Sequence, residues 1–432
     1  MKRFNLDRRM ITILGIVFAQ LLAASMILPI LSLYAINELG MQEEHTPLIQ
    51  ASFFIAQFIA SPFLGRLSDR HGRVPVLFWS QAGTVISYLM IAFVPSIGIV
   101  FASRILDGVT GGNIFVAQAY VIDITPRERR TQAIGLIFAV FGIGFIFGPS
   151  IGGVLAAAVG REATFFIAAL VTIIPTMMTH FWLNETLTAE QRMANRERGG
   201  QVSFGSLLRN GTIRNILILS TAGSLGLGIV QTTFAIYGQN ILFAGSDEAA
   251  INLGVGLLLG MVGLGQTITQ IFILRRLLRR YGDAPLVVGG TIIRMLAMGW
   301  YVVVGLPFML AAIGQGALPF AAIPAAIFFA MGTGIGVPPL QSLATSAASD
   351  SARGAVVGLT ASAQSLGVIG GTLLAGPLLG LQVAGRPSLA PYLFSAVMFA
   401  LLIIPSMALI RRFGSRPLAP MPDAVIMPAP AE

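Results

Sequence analysis

Apolar residues fall along the chain in long blocks separated by short polar segments. A helix rises 1.5 Å per residue, so roughly 20 apolar residues cover the ~30 Å of bilayer hydrocarbon. Twelve blocks meet that length: 11–35, 47–66, 74–94, 97–123, 131–157, 162–183, 213–238, 250–274, 284–305, 317–346, 354–380 and 391–411. Each predicts a membrane-spanning helix, giving an all-α membrane protein of twelve spans. The basic start, Lys2, Arg3, Arg8 and Arg9, resembles that of a signal peptide. The apolar run behind it is too long for one, so it reads as an uncleaved first helix. The longest polar connection, 184–212, divides the spans six and six. It predicts a bundle over 1–183, a linker over 184–212, a second bundle over 213–412, and a disordered Pro- and Ala-rich tail over 413–432.

Composition excludes the aqueous alternative. Of 432 residues, 55% are hydrophobic and 10% charged, where soluble domains carry about 25% charge. The absence of Cys removes disulfides, thiolate metal sites and thiol catalysis. A net charge of +9 would suggest a nucleic-acid partner in a soluble protein, but here position gives it another meaning. All but four of the 27 basic residues fall in segments on the side of the termini, which makes that side the cytoplasmic one. Arg161 and Arg386 lie outside, while Arg104 and Arg294 fall within spans, together with one acid, Asp107. The three His, at 45, 71 and 180, are scattered. Neither a His-Glu-x-x-His motif nor a Gly-Lys-Ser/Thr phosphate loop occurs. An enzyme, a metal site, a cofactor and an ATP-driven pump are therefore not expected.

The two halves repeat. Gly65-Arg66-Leu67-Ser68-Asp69-Arg70-His71-Gly72-Arg73-Val74-Pro75 aligns 210 residues later with Arg275 to Pro285, keeping the second Gly and the Pro and exchanging the Asp and Arg positions. Offset by 223, Gly144, Gly148 and Gly153 fall on Gly367, Gly371 and Gly376. Parallel six-helix repeats are expected of secondary transporters.

The string from Gly65 to Arg73 resembles the loop signature of the major facilitator superfamily, Gly-x-Leu-x-Asp-Arg-x-Gly-Arg, and the resemblance extends over all twelve spans. It implies two six-helix bundles around a central cavity opened alternately to each side. Gly65, Asp69, Arg70, Gly72 and Arg73, with Asp123, would form a cytoplasmic gate. Asp69 would accept bonds from Arg73 and from helix N-termini of the other half; the bland alternative is that these charges only hold the loop inside. Gly144-Phe-Ile-Phe-Gly148-Pro149-Ser150-Ile-Gly152-Gly153 looks like the signature of the superfamily's drug:proton antiporters. A generic packing seam is the alternative. Further matches to the tetracycline-efflux type are 119–129, beginning Ala119-Tyr120 and including Asp123, then Glu185-Thr186-Leu187, and more weakly 334–341.

Arg104 and Asp107, three apart, share one helical face, so each can offset the other's burial. Arg104 resembles the buried Arg of proton-coupled members, which would make Asp107 the titrating group. A structural ion pair is the alternative. Gln20 stands where tetracycline-efflux proteins often carry an acid, so coupling would rest on Asp107, on the gate acids, or be absent. The cavity-lining candidates are mostly amides: Gln20, Gln57, Asn113, Gln118, Gln231, Gln266, Gln270, Gln341 and Gln364, with Tyr237. Such a cavity suits a small lipophilic or amphipathic substrate, although helix-to-helix amide bonds would explain any one of them equally. The family analogy puts Arg294 on a peripheral helix, snorkelling or paired locally. The expectation is a monomeric exporter in a prokaryotic inner membrane whose partners are protons, substrate and lipids, and no nucleic acid. Uncoupled or symport uptake and lipid flipping are the rivals of the same fold.

Overall fold

The computed structural model describes residues 8–111, 113–125, 130–188, 209–347, 353–386 and 388–414. The first half holds α1 (Arg8–Asn37), α2 (Thr46–His71), α3 (Arg73–Phe93), α4 (Ile97–Thr110 and Asn113–Asp123), α5 (Arg130–Val159) and α6 (Arg161–Trp182). The second holds α7 (Gly211–Tyr237), α8 (Glu248–Ile268), α9 (Asp283–Gly305), α10 (Leu318–Ser346), α11 (Arg353–Leu379) and α12 (Ala390–Phe413). Ten of these are each long and apolar enough to span a bilayer on their own; α4, in two segments, and α5 complete the predicted twelve. The side carrying the start of α1 and the end of α12 is called the near face, and the other the far face. Most of the predicted linker (189–208) and of the tail (415–432) lies outside the described residues.

Span limits agree with the apolar blocks except where polar residues continue a helix. The α2 block was expected to end at 66, but the helix runs on to His71, so Asp69 and Arg70 sit on its last turn. The supposed loop is then a single-residue break at Gly72, whose φ of 109° favours a residue without Cβ. Gly282, with φ 78°, breaks the second half at the equivalent place. There α8 passes through a π turn (Thr269–Ile273) into a helix over Leu274–Tyr281, so the tract from Arg275 to Arg280 is helical too.

Three large buried clusters fill the bundles: one around Tyr34, Tyr88 and Phe165 toward the far face, one around Met10, Val17 and Tyr120 toward the near face, and one running through the second half. Trp79, Phe93, Phe181 and Phe320 are exposed, as befits a chain whose solvent is lipid. Buried threonines and serines return their hydroxyls to the carbonyl four residues back, as Thr172, Thr232 and Thr360 do, because no water in the bilayer can satisfy them.

Candidate functional site: two gates and the seam between the bundles

On the near face the sequence-predicted gate residues converge on Arg73. Its Nη1 pairs with Asp69 at 2.7 Å and donates to Ser68 Oγ at 2.7 Å, and its Nε pairs with Asp123 at 3.1 Å. The stub after α6 completes the cluster. Glu185 accepts from the amides of Arg73 and Val74 at 3.0 and 3.1 Å, capping α3, while Thr186 donates to Asp123 and Tyr120 to Asn184 O. A Cβ on Gly72 would displace the Glu185 carboxylate that caps α3, while the positive φ is what favours glycine here. Arg70 lines a groove of about 360 Å³ with Arg66 and Phe63. Gly65 faces open space, so in this conformation no contact demands its lack of a side chain.

Among the described residues, no group from the second half enters this cluster. The bond from Asp69 to the other half, expected from sequence, is not made among the described residues, and Asp69 pairs only with Arg73 of its own half. Each described hydrogen bond or ion pair between the bundles lies toward the far face. Asn37 and Gln239 exchange two amide bonds at 3.2 and 3.3 Å, and Asn240 donates to Glu43 at 2.8 Å. Below them Arg161, fully buried, bridges both halves: Nη1 reaches Glu248 at 2.8 Å and Glu38 at 3.2 Å, and Nε and Nη2 each donate to Asn252 Oδ1 at 3.4 Å. Among the described residues, the polar contacts that latch one half to the other are on the far face.

Sequence reasoning counted Arg161 only as one of two basic residues outside. The available signal was its rarity there, together with three acids, Glu38, Glu162 and Glu248, at far-face helix ends. Burial against Glu38 raises that carboxyl above its ordinary value of 4.5. The Arg161 hydrogen bond and charge pull it back, and Glu248 and Glu162 add to the rise.

The α5 glycine string forms the seam under this latch. A Cβ at Gly144 would stand 3.0 Å from Leu21 Cβ, one at Gly148 2.9 Å from Leu22 O, and one at Gly152 3.0 Å from Met26 Cα, so α5 lies directly on the α1 backbone. Ser25 Oγ donates to Gly144 O at 3.0 Å across that contact. Pro149 lies within the helix, between the glycines. Gly153 turns the other way, onto Asn252 and Gly256 of α8. The repeat obeys the same geometry: Gly367 and Gly371 lie on Thr221 and Leu225 of α7, and Gly376 on Glu44 beside α2.

Arg104 and Asp107 pair at 3.0 Å and are both buried. Arg104 also donates to Ser87 Oγ at 3.1 Å and faces the Tyr88 ring, so the pair looks into the cleft between α4 and α3. Of the candidate cavity amides, Gln57 spends its NH₂ on Gly111 O at 2.9 Å, stitching α2 to α4. Gln20, Gln118, Gln231, Gln266, Gln270 and Gln364 are half-buried, and Gln341 is exposed. The Asn113 side chain lies outside the described residues. Tyr237 is not open to a cavity. It is fully buried, donates to Tyr301 O at 2.7 Å and stacks near Tyr392 within the second bundle. Arg294 does not snorkel, since its side chain is buried inside the second bundle, and among the described residues no acid pairs with it.

The chain is 30% identical over 370 residues to the class C tetracycline resistance protein of Escherichia coli, covering 85% of this chain and 89% of that one. It is 31% identical over 334 residues to the class B protein of the same species, covering 77% and 78%. With multidrug resistance protein 2 of Bacillus subtilis it shares 27% over 284 residues, 64% of this chain and 68% of that one. Among solved structures, the nucleoside transporter NupG superposes with a TM-score of 0.71 at 15% identity over 94% of this chain and all of that one. The peptide transporter POT superposes with 0.73 at 14% over 96% of each. At these identities the two structures speak for the fold alone. A profile of the Major Facilitator Superfamily matches residues 13–372. Twelve spans, a helix break repeated at Gly72 and Gly282, and these relatives together make this multi-pass membrane protein a transporter belonging to the Major Facilitator Superfamily.

Proposed function

We propose that this transporter exports lipophilic or amphipathic small molecules across a prokaryotic inner membrane in exchange for protons, with its termini and near face in the cytoplasm. The observation that carries the reading is the α5 string. Its glycines lie backbone-on-backbone against α1 and, at Gly153, against α8 of the other half, the seam that opens and closes when the bundles rock. The tetracycline and multidrug resistance relatives favour export over uptake. In this conformation the site is loaded from the cytoplasmic side, and far-face opening requires Arg161 to release Glu248.

Asp107 is the proposed proton carrier, with Arg104 at 3.0 Å as its counter-charge. Near-face closure would bring Asp69, Arg73 and Asp123 against the second half. The test is transport in proteoliposomes under an imposed pH gradient, comparing wild type with Asp107→Asn, with a tetracycline as probe. Gradient-driven accumulation is expected in the wild type and lost in the variant. Accumulation that survives the substitution removes Asp107 as carrier. An uncoupled carrier, favoured by Gln20 and by the inward-looking Arg104–Asp107 pair, would show no response to the gradient at all.

A further inference from the structure

Arg294 is the twelfth residue of the 23-residue α9, mid-span, and only 7% exposed. Its guanidinium lies 4.7 Å from the Phe399 ring centre of α12. Its other described contacts are long ones within its own helix, Nε to Gly290 O at 3.4 Å and Nη2 to Thr291 Oγ1 at 3.5 Å. Five donors are thus served by two weak acceptors and a ring. The other buried arginines are matched: Arg73 by two aspartates, Arg104 by Asp107, Arg161 by two glutamates. Arg294 has no acid among the described residues, which leaves the intramembrane charges Arg104, Asp107 and Arg294 with a net of +1.

The space around this cation is kept by glycines. A Cβ on Gly223 of α7 would stand 3.2 Å from Nη1, one on Gly336 of α10 3.8 Å from Nη2, and one on Gly332 2.8 Å from the Arg294 Cγ. The guanidinium therefore reaches from α9 to the space between α7 and α10, and α7 is the helix of this half that packs on α1 of the other. Gly223 is itself half-buried rather than sealed. A larger side chain at Gly223 would press on the cation, whereas glycine lets Nη1 come up against the α7 backbone.

Building on the transporter reading above, we infer that Arg294 is the anion-recognising residue of the substrate site. It takes one anionic group, a carboxylate or enolate, on an otherwise apolar molecule. The guanidinium fork fits a planar two-oxygen anion, and a low-dielectric setting strengthens that bond. Mid-span placement puts it below the level of lipid headgroups.

The test is equilibrium fluorescence titration of the full chain in phosphatidylcholine nanodiscs with dansyl-leucine and with its neutral amide. The wild type should bind the carboxylate about tenfold or more tightly than the amide. Arg294→Gln should bring the ratio to about one while leaving amide affinity within a factor of ~3, and Arg294→Lys should keep part of the preference. Gly223→Val, which retains the cation and presses on it, should also lower the ratio, so the inference stands testable if Arg294→Gln fails to fold. A wild-type ratio near one, a ratio unchanged in Arg294→Gln, or a ratio erased by adding phosphatidylglycerol to the disc would overturn it. The last result would assign the guanidinium to a lipid headgroup. No proton gradient enters this measurement, so its failure is distinct from failure of proton coupling.

Discussion

Replacing Arg161 by Gln should shift the protein toward far-face opening by an amount that can be bounded. The guanidinium is fully buried and joins Glu38 of the first half to Glu248 and Asn252 of the second. Removing one member of a fully buried pair costs about 3–5 kcal/mol. Here the Glu248 side chain is 54% exposed, and exposed pairs contribute about 0–1 kcal/mol. The bond to Asn252 is buried but long, so the latch as a whole contributes about 1–2 kcal/mol to closure. At 1.4 kcal/mol per factor of ten, the open population should rise roughly 5- to 30-fold. Because the chain contains no Cys, a single Ser150→Cys becomes the only thiol, placed on the seam where Ser150 donates to Gly256 O. Its labelling by a membrane-impermeant maleimide added from the far face reports the open fraction. The rate should increase by that factor in Arg161→Gln. A rate within twofold of the parent, with the protein folded, would refute the latch.

The same labelling should respond to pH through Glu38. Its carboxyl is raised in the closed form chiefly by burial, so the closed form binds its proton more tightly than an exposed carboxylate would. Closure is therefore favoured as pH falls and weakened as pH rises through the raised value. Labelling should slow on acidification in the range just above 4.5, and Glu38→Gln should flatten that dependence; a steeper dependence in the variant would contradict it. Gly148→Ala, which drives a methyl into Ser25 and Leu22 O, should cost about 1–3 kcal/mol, read as a lowered Tm in detergent and reduced transport. Glu185→Ala uncaps α3 and should cost about 1 kcal/mol, while Glu185→Asp, one methylene shorter, should not restore both amide bonds and should show a lowered Tm as well. Asp69→Asn should slow transport while leaving membrane insertion unchanged and stability within about 0.5 kcal/mol of the parent; an unchanged rate would remove Asp69 from the gate.

Much of this was legible in the chain because bilayer thickness imposes a length and the duplication left two copies to compare. The spans, and the glycine at 72 with its echo at Gly282, follow from local pattern and motif; that Glu185 caps α3 beside Asp69, Arg73 and Asp123 comes from the structure alone. The misses share one cause: pattern gives no partner across space. Arg161 was read only for its side of the membrane because Glu248, 87 residues on in the other half, could not be placed beside it. Arg294 was assigned to the rim by the position of its helix, whereas its side chain turns inward between glycines. Tyr237 was placed in the cavity by its helix, but its rotation aims it at Tyr301 and Tyr392. The α2 end was cut short at 66 because a hydropathy reading stops where apolar residues stop, not where backbone hydrogen bonding does.

Where Gly153 meets Gly256 and Asn252, and where Gly376 meets Glu44 O, the two halves approach backbone against backbone. Surfaces of this kind carry few side chains across the contact, Ser150 donating to Gly256 O among them, so little there must be disentangled when the halves part. The work of opening is then concentrated in the polar groups above, around Arg161 and the Asn37–Gln239 pair. The speed of the cycle can be tuned by exchanging a few surface-proximal polar residues while the membrane-embedded seam stays as it is.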